Sequence, residues 1–101
     1  MDSLRNIVRN VVFSYATAGL KLRMYRLADE ERGIYAVNVV DWPEHQYPAG
    51  VVVLARVEGD KVFIEEDITD RPLAEALIQA GLRPDQVVWA YDQTAAQATS
   101  S

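Results

Sequence analysis

The residues best suited to chemistry are concentrated in one acidic run, Glu65, Glu66, Asp67 and Asp70. Several carboxylates close together could bind a hard cation, or could divide acid and base roles between them. However, the run lacks the Asp-x-Asp-x-Asp-Gly pattern of a calcium loop, and no second group of metal ligands accompanies it. It precedes a helical pattern, where side-chain oxygens cap free N–H groups and negative charge is favoured. We therefore expect Thr69 or Asp70 to cap a helix here, and we expect no metal or catalytic site.

The single histidine, His45, is the other candidate for acid–base chemistry. The chain has no cysteine, no second histidine and no Gly-x-Ser-x-Gly motif that could supply a nucleophile beside it. The five glycines are too widely spaced for a phosphate-binding loop. These absences predict a protein that is not an enzyme and has no cofactor. A small-molecule pocket built from Asp41, His45 and the Trp42–Tyr47 loop remains a weaker alternative.

Aromatic side chains offer a different kind of site. Trp42 and Tyr47 lie in a loop with two prolines, and Trp89 and Tyr91 lie at the last predicted strand. Large aromatic residues are common anchors of protein interfaces. For the two tryptophans, closing the ends of the core is an equally good interpretation. With the neighbouring acids, the predicted partner-binding residues are Trp42, Tyr47, Trp89, Tyr91, Glu66 and Asp67.

The overall charge bears on the class of partner. Fifteen acidic and ten basic residues give a net charge of −5. This balance disfavours direct nucleic-acid binding, which needs a cationic surface, and it suits a basic protein partner. A local concentration of basic residues keeps a direct DNA-binding regulator as an alternative. Its members are Arg5, Arg9, Lys21, Arg23 and Arg26.

Cysteine content and hydropathy indicate the compartment. The absence of cysteine excludes a disulfide framework and fits a reducing environment. No apolar run approaches the roughly 20 residues that a membrane-spanning helix needs. We therefore expect a cytoplasmic protein.

The elements that must position these residues follow from periodicity. Helical spacing predicts a first helix over residues 3–17, and a second helix begins at Pro72 and ends at Gly81. Alternating or β-branched runs predict strands at 21–28, 34–40, 51–57, 61–66 and 87–91. Short connections favour antiparallel pairing. The prediction is an α+β domain over residues 1–92, a single antiparallel sheet of four to five strands with two helices packed on it, and a flexible tail at 93–101.

One stretch of the chain resembles a known family. Residues 50–57 form a strand, Asp60-Lys61 completes a hairpin, and Asp67-x-Thr69-Asp70 leads into Leu73-Ala74-x-x-Leu77-Ile78 and then Gly81-Leu82. In this pattern the chain resembles the XisI-like family, specifically over residues 50–88 and more loosely over residues 4–91. Pro84 lies one position later than the family's Gly-Ile-Pro, and the family's usual proline-rich extension is absent after Tyr91.

The resemblance implies a role as well as a fold. It implies a controlling factor for excision of the fdxN DNA element, acting with a XisH-like protein beside a separate recombinase. It implies no catalytic residue that maps onto this chain. We also expect a homo-oligomer, because a sheet of this size leaves an edge and a face to cover.

Overall fold

The computed structural model describes residues 3–17, 22–41, 44–46 and 48–91. Within these ranges the chain forms two α-helices, five strands and one short 3₁₀ turn at Pro84–Gln86. The helices are α1 (Ser3–Phe13) and α2 (Leu73–Gln79). The strands are β1 (Leu22–Asp29), β2 (Ile34–Asp41), β3 (Gly50–Glu58), β4 (Lys61–Asp67) and β5 (Val87–Trp89). The predicted tail at 93–101 lies outside the described residues.

The five strands form one sheet in the order β1-β2-β3-β4-β5. The first four pair antiparallel, as their short connections predict. β5 pairs parallel with β4, because α2 and the 3₁₀ turn intervene and carry the chain back to the start of β4. The architecture is therefore α+β, as predicted, and its mostly antiparallel sheet has one parallel pair.

Two glycines make the tight turns of this sheet. Gly59 has φ +62° and opens the β3–β4 turn, as the sequence predicts. Gly33 has φ +68° in the β1–β2 turn, and its carbonyl accepts from the N–H of Val57 at 2.8 Å. A Cβ at Gly33 would come within 2.9 Å of the Val57 carbonyl oxygen, whereas a Cβ at Gly59 would meet open space. Only Gly33 is therefore needed for both its backbone angle and its close packing.

Both helices pack on the same face of the sheet. α1 contacts β2 and β3, α2 contacts β4 and β5, and the two helices contact each other. The core between helices and sheet consists of aliphatic residues with two tyrosines. Its largest completely buried side chains are Tyr35, Ile64, Leu73, Leu77, Val8, Val12, Val37, Val53 and Val62. Apolar residues at helical spacing supply four of these, Val8, Val12, Leu73 and Leu77. The same spacing predicts that Ile78 also faces the core, and this is wrong, because Ile78 is exposed.

Register shifts break the strict alternation of the strands at two places. One lies between Val37 and Asn38 in the β2–β3 pair, and the other lies between Leu54 and Ala55 in the β3–β4 pair. At the second shift Ile64 pairs with Ala55 and Glu66 pairs with Leu54, so Glu65 is the extra residue of a bulge. A regular strand would point Glu65 and Glu66 to opposite faces of the sheet, and the bulge interrupts this alternation.

Candidate partner-binding site

Two of the predicted aromatic residues meet at the β5 edge of the sheet. The rings of Trp89 and Tyr91 pack edge to face, with centroids 5.6 Å apart and planes at 86°. The N–H of Ala90 donates to the carbonyl of Ile64 at 3.0 Å, which keeps the chain against β4 beyond the last strand residue. Trp89 packs against the core while both side chains stay partly exposed. The two interpretations of Trp89, core closure and surface anchor, therefore both apply.

Two predicted acidic residues complete this corner of the molecule. The pKa of Tyr91 is raised, chiefly because the phenol is partly buried and then because the charges of Asp67 and Glu66 oppose its ionisation. The phenol thus lies within the field of both carboxylates. We call Glu66, Asp67, Trp89 and Tyr91 the aromatic–acidic corner. Four of the six predicted partner-binding residues are brought together here from two strands that are distant in sequence.

Asp67, one of the residues of this corner, stabilises the start of α2. Its Oδ2 accepts from the N–H of Leu73, the first residue of α2, at 2.8 Å. Its Oδ1 accepts from the N–H of Thr69 at 3.0 Å and from the Thr69 hydroxyl at 2.7 Å. The predicted caps, Thr69 and Asp70, are therefore wrong as acceptors for the helix N–H groups. Pro72 occupies the N-cap position without a capping side chain, so the loop folds back and Asp67 supplies the oxygen instead.

Glu66 is the other carboxylate of the corner. It is half-buried, it lies opposite Leu54 in the sheet, and its side chain forms no hydrogen bond within the described residues. Its neighbour Glu65 instead accepts from Arg56 Nε at 3.0 Å, and the same guanidinium also bonds Glu58 and covers the Phe63 ring. Three residues of the acidic run thus differ in their contacts: Asp67 accepts hydrogen bonds at the start of α2, Glu65 pairs with Arg56, and Glu66 has no such hydrogen bond.

A contact between the end of α1 and the loop before α2 was not predicted from the sequence. The hydroxyl of Tyr15 donates to the carbonyl of Arg71 at 2.6 Å, and the Arg71 guanidinium covers the Tyr15 ring at 3.9 Å while donating to Ser14 Oγ at 2.8 Å. Burial raises the pKa of Tyr15 despite the nearby Arg71 charge. This contact ties the end of α1 to the loop before α2. It joins residues 56 positions apart, and helical periodicity carries no signal for such a pair.

The remaining predicted site residues lie elsewhere or outside the description. Trp42 and Tyr47 fall outside the described residues, so their part in a partner-binding surface stays a prediction. Asp41 Oδ2 accepts from the N–H of Gln46 at 2.8 Å, which stabilises the start of that loop. His45 is exposed and has φ 53°.

The basic residues do not share one surface. Arg5 donates to the Glu30 carbonyl at 2.5 Å, and Arg9 lies 3.7 Å from the Glu30 carboxylate. Arg23 and Arg26 are three positions apart in β1, so they point to opposite faces of the sheet. Lys21 lies outside the described residues. The predicted basic face is thus divided, since Arg9 lies beside the Glu30 carboxylate, Arg26 lies on the helix side of the sheet and Arg23 lies on the opposite side.

In the described part of the chain, no group of three or more histidine, cysteine, aspartate or glutamate side chains is arranged to hold a metal ion. None of its helices is long and apolar enough to cross a membrane.

The model of the XisI protein family matches residues 1–101. No curated protein sequence matches the chain. A solved XisI-like protein from Anabaena variabilis ATCC 29413 is similar in structure, with a TM-score of 0.74 and 21% identity over 85% of this chain and 82% of that chain.

A second solved structure supports the same fold. The fdxN element excision controlling factor XisI from Anabaena variabilis ATCC 29413 has a TM-score of 0.69 and 15% identity, over 92% of this chain and 93% of that chain. At identities of 21% and 15%, the two structures show that the fold is shared. The family match, in contrast, covers the whole sequence. This chain belongs to the XisI family.

Proposed function

We propose that this chain is a non-enzymatic accessory factor that controls DNA-element excision by binding a XisH-like protein through the aromatic–acidic corner. The observation that carries the proposal is the edge-to-face pair of Trp89 and Tyr91 at the β5 edge of the sheet, where the charges of Asp67 and Glu66 act on the Tyr91 phenol. The family supplies the context, since one solved structure with this fold is named as an excision controlling factor.

The chemistry of the corner favours a basic partner. Two aromatic rings in edge-to-face contact present π faces that attract arginine and lysine side chains. Glu66, whose charge acts on the Tyr91 phenol, can accept charge-assisted hydrogen bonds from a cation of the partner. The net charge of −5 attracts such a partner over longer distances and speeds encounter.

The same charge supports an indirect role at DNA. Nucleic-acid binding depends on cationic side chains that displace counterions from phosphates. Among the described residues, Arg5 and Arg9 contact Glu30, and Arg23 and Arg26 face opposite sides of the sheet. An accessory factor that reaches DNA through its protein partner fits these observations better than one that binds the duplex itself.

Co-purification with a XisH-like protein tests the proposal. The two chains, co-expressed from neighbouring genes, should elute together in size exclusion. Glu66→Lys should abolish or weaken this co-elution, because it places a repelling charge beside Tyr91. Glu31→Lys makes the same charge change in the exposed β1–β2 turn and should leave co-elution intact.

Two results would count against the proposal. One is failure of the wild-type chain to co-elute with any neighbouring XisH-like protein. The other is equal retention of the complex by Glu66→Lys and Glu31→Lys. A gel-shift assay at low salt provides a separate check, since we expect no shift of duplex DNA by this chain alone.

A further inference from the structure

The face of the sheet opposite the helices carries a group of apolar residues. Alternation along the strands places Tyr25, Leu27, Ile34, Ala36, Leu54 and Phe63 on this face, and none of them belongs to the core under the helices. We call these six residues the open face. Tyr25 and Leu27 are each 46% exposed, and no described helix covers them. A sheet with one covered face leaves the other to water or to a second layer.

The strand register makes the open face continuous. Leu27 pairs with Ala36, which pairs with Leu54, so three apolar residues form one row across β1, β2 and β3. In the next row Ile34 pairs with Arg56, and Arg56 pairs with Phe63. Ala36, between Leu27 and Leu54 in the first row, is only 4% exposed. The open face thus has one continuous apolar row, and in the neighbouring row Arg56, which is bonded to Glu65, separates Ile34 from Phe63.

The charges along β1 indicate what covers the open face. On the open face β1 presents Arg23, Tyr25, Leu27 and Asp29 in order, with a cation at one end and an anion at the other. In two copies related by a two-fold axis that runs across the strands, the two β1 strands are antiparallel. Arg23 of each copy then faces Asp29 of the other, and Tyr25 faces Leu27. Asp29 also accepts from Arg32 at 2.8 Å, and a carboxylate can accept from two guanidinium groups. The strand is complementary to itself in charge and in apolar content.

Pairing edge to edge through β1 is less favourable than pairing face to face. Any antiparallel β1–β1 register that sets Arg23 against Asp29 of the second copy also sets Arg26 against Arg26, because Arg26 lies midway between the two residues in β1. Like charges directly opposite each other in a sheet are destabilising. Face-to-face packing avoids this contact, since Arg26 lies on the helix side, 5.9 Å from the Phe13 ring centroid.

We propose that a second copy of this chain packs its open face against the open face of the first, forming a two-layer sandwich of sheets flanked by helices. Four strands about 4.8 Å apart and about 26 Å long present roughly 500 Å². A standard interface buries roughly 800 Å² on each partner. The dimer should therefore be reversible and concentration-dependent, and it forms without any other protein.

Sedimentation of the purified chain over about 2 to 200 μM tests this inference. The mass should rise from 11.3 kDa toward twice that value. Leu54→Glu, in the central strand and away from the β1 edge, should hold the chain at monomer mass. Ile78→Glu introduces the same charge at an exposed position of α2 and should dimerise like wild type.

A charge exchange tests the orientation without touching the apolar residues. Arg23→Glu and Asp29→Arg should each weaken dimerisation at least threefold, and the double variant should recover most of that loss. A monomer at every concentration overturns the proposal. So does a dimer that tolerates Leu54→Glu, or a double variant no better than the single ones. These measurements use the chain alone, so they succeed or fail independently of binding to a XisH-like protein.

Discussion

Replacing Asp67 by alanine should reveal whether this side chain supports α2. The carboxylate accepts three hydrogen bonds: from the N–H of Leu73 at 2.8 Å, from the N–H of Thr69 at 3.0 Å and from the Thr69 hydroxyl at 2.7 Å. Without it, the first N–H of α2 has no capping side chain, because Pro72 provides none. α2 also carries Leu73 and Leu77, both completely buried, so a loosened start affects the core.

The cost can be worked out from these contacts. Removing a helix cap costs about 0.5–2 kcal/mol, and hydrogen bonds to a charged group contribute about 1.5–3 kcal/mol. We therefore expect Asp67→Ala to lower the free energy of unfolding by about 2 kcal/mol. For a domain of this size, that corresponds to a fall in Tm of about 8–16 °C. Urea unfolding followed by circular dichroism gives the free energy, and a thermal scan gives Tm.

Asp70→Ala is the matched control. Asp70 is exposed and also precedes α2, so its removal takes away the same charge near the helix start, worth about 0.3–1 kcal/mol. The difference between the two variants isolates the hydrogen bonds of Asp67. If both variants unfold with free energies within about 0.5 kcal/mol of each other, the capping role of Asp67 is refuted.

Other perturbations test the turns, the core and the tyrosines. Gly33→Ala should destabilise by about 2–3 kcal/mol in urea unfolding and Gly59→Ala by only about 1 kcal/mol, because only Gly33 combines positive φ with a 2.9 Å contact; equal losses would contradict this. Leu77→Ala should cost about 2–5 kcal/mol in the same assay, and a smaller loss would mean that α2 is loosely packed. Burial raises the pKa of Tyr15 and of Tyr35. Their contribution to the free energy of unfolding should therefore be constant below pH 10 and should be lost as the pH rises through their folded-state pKa values. Tyr15→Phe should make this loss smaller, as measured by the urea midpoint between pH 8 and pH 11.

The fold was largely predictable because its signals are local. Helical spacing from Leu4 to Tyr15, alternation in β4 and a glycine at position 59 each identify an element without reference to the rest of the chain. The first helix nevertheless ends at Phe13 rather than near 17. Its last turn tightens, with the N–H groups of Tyr15 and Ala16 donating three residues back, and sequence periodicity does not distinguish this from a regular helix.

The details of the site were less predictable because they depend on distant contacts. The choice of Asp67 over Thr69 as the cap follows from how the loop folds back after β4. The bulge at Glu65 depends on the register between β3 and β4. The pairing of Trp89 with Tyr91 follows from their spacing at the end of a strand, but their approach to Glu66 required the parallel alignment of β5 with β4.

The affinity of this chain for a XisH-like protein, measured by calorimetry for matched tyrosine variants, tests the central proposal most directly. Tyr91→Ala removes an aromatic anchor of the corner, and Tyr25→Ala removes an exposed ring from the opposite edge of the sheet. If the corner is the docking site, Tyr91→Ala should weaken binding about thirtyfold, the effect of losing about 2 kcal/mol at an interface hot spot. Tyr25→Ala should bind within about twofold of wild type. Equal affinities for the two variants, with both folded by circular dichroism, would contradict the proposal.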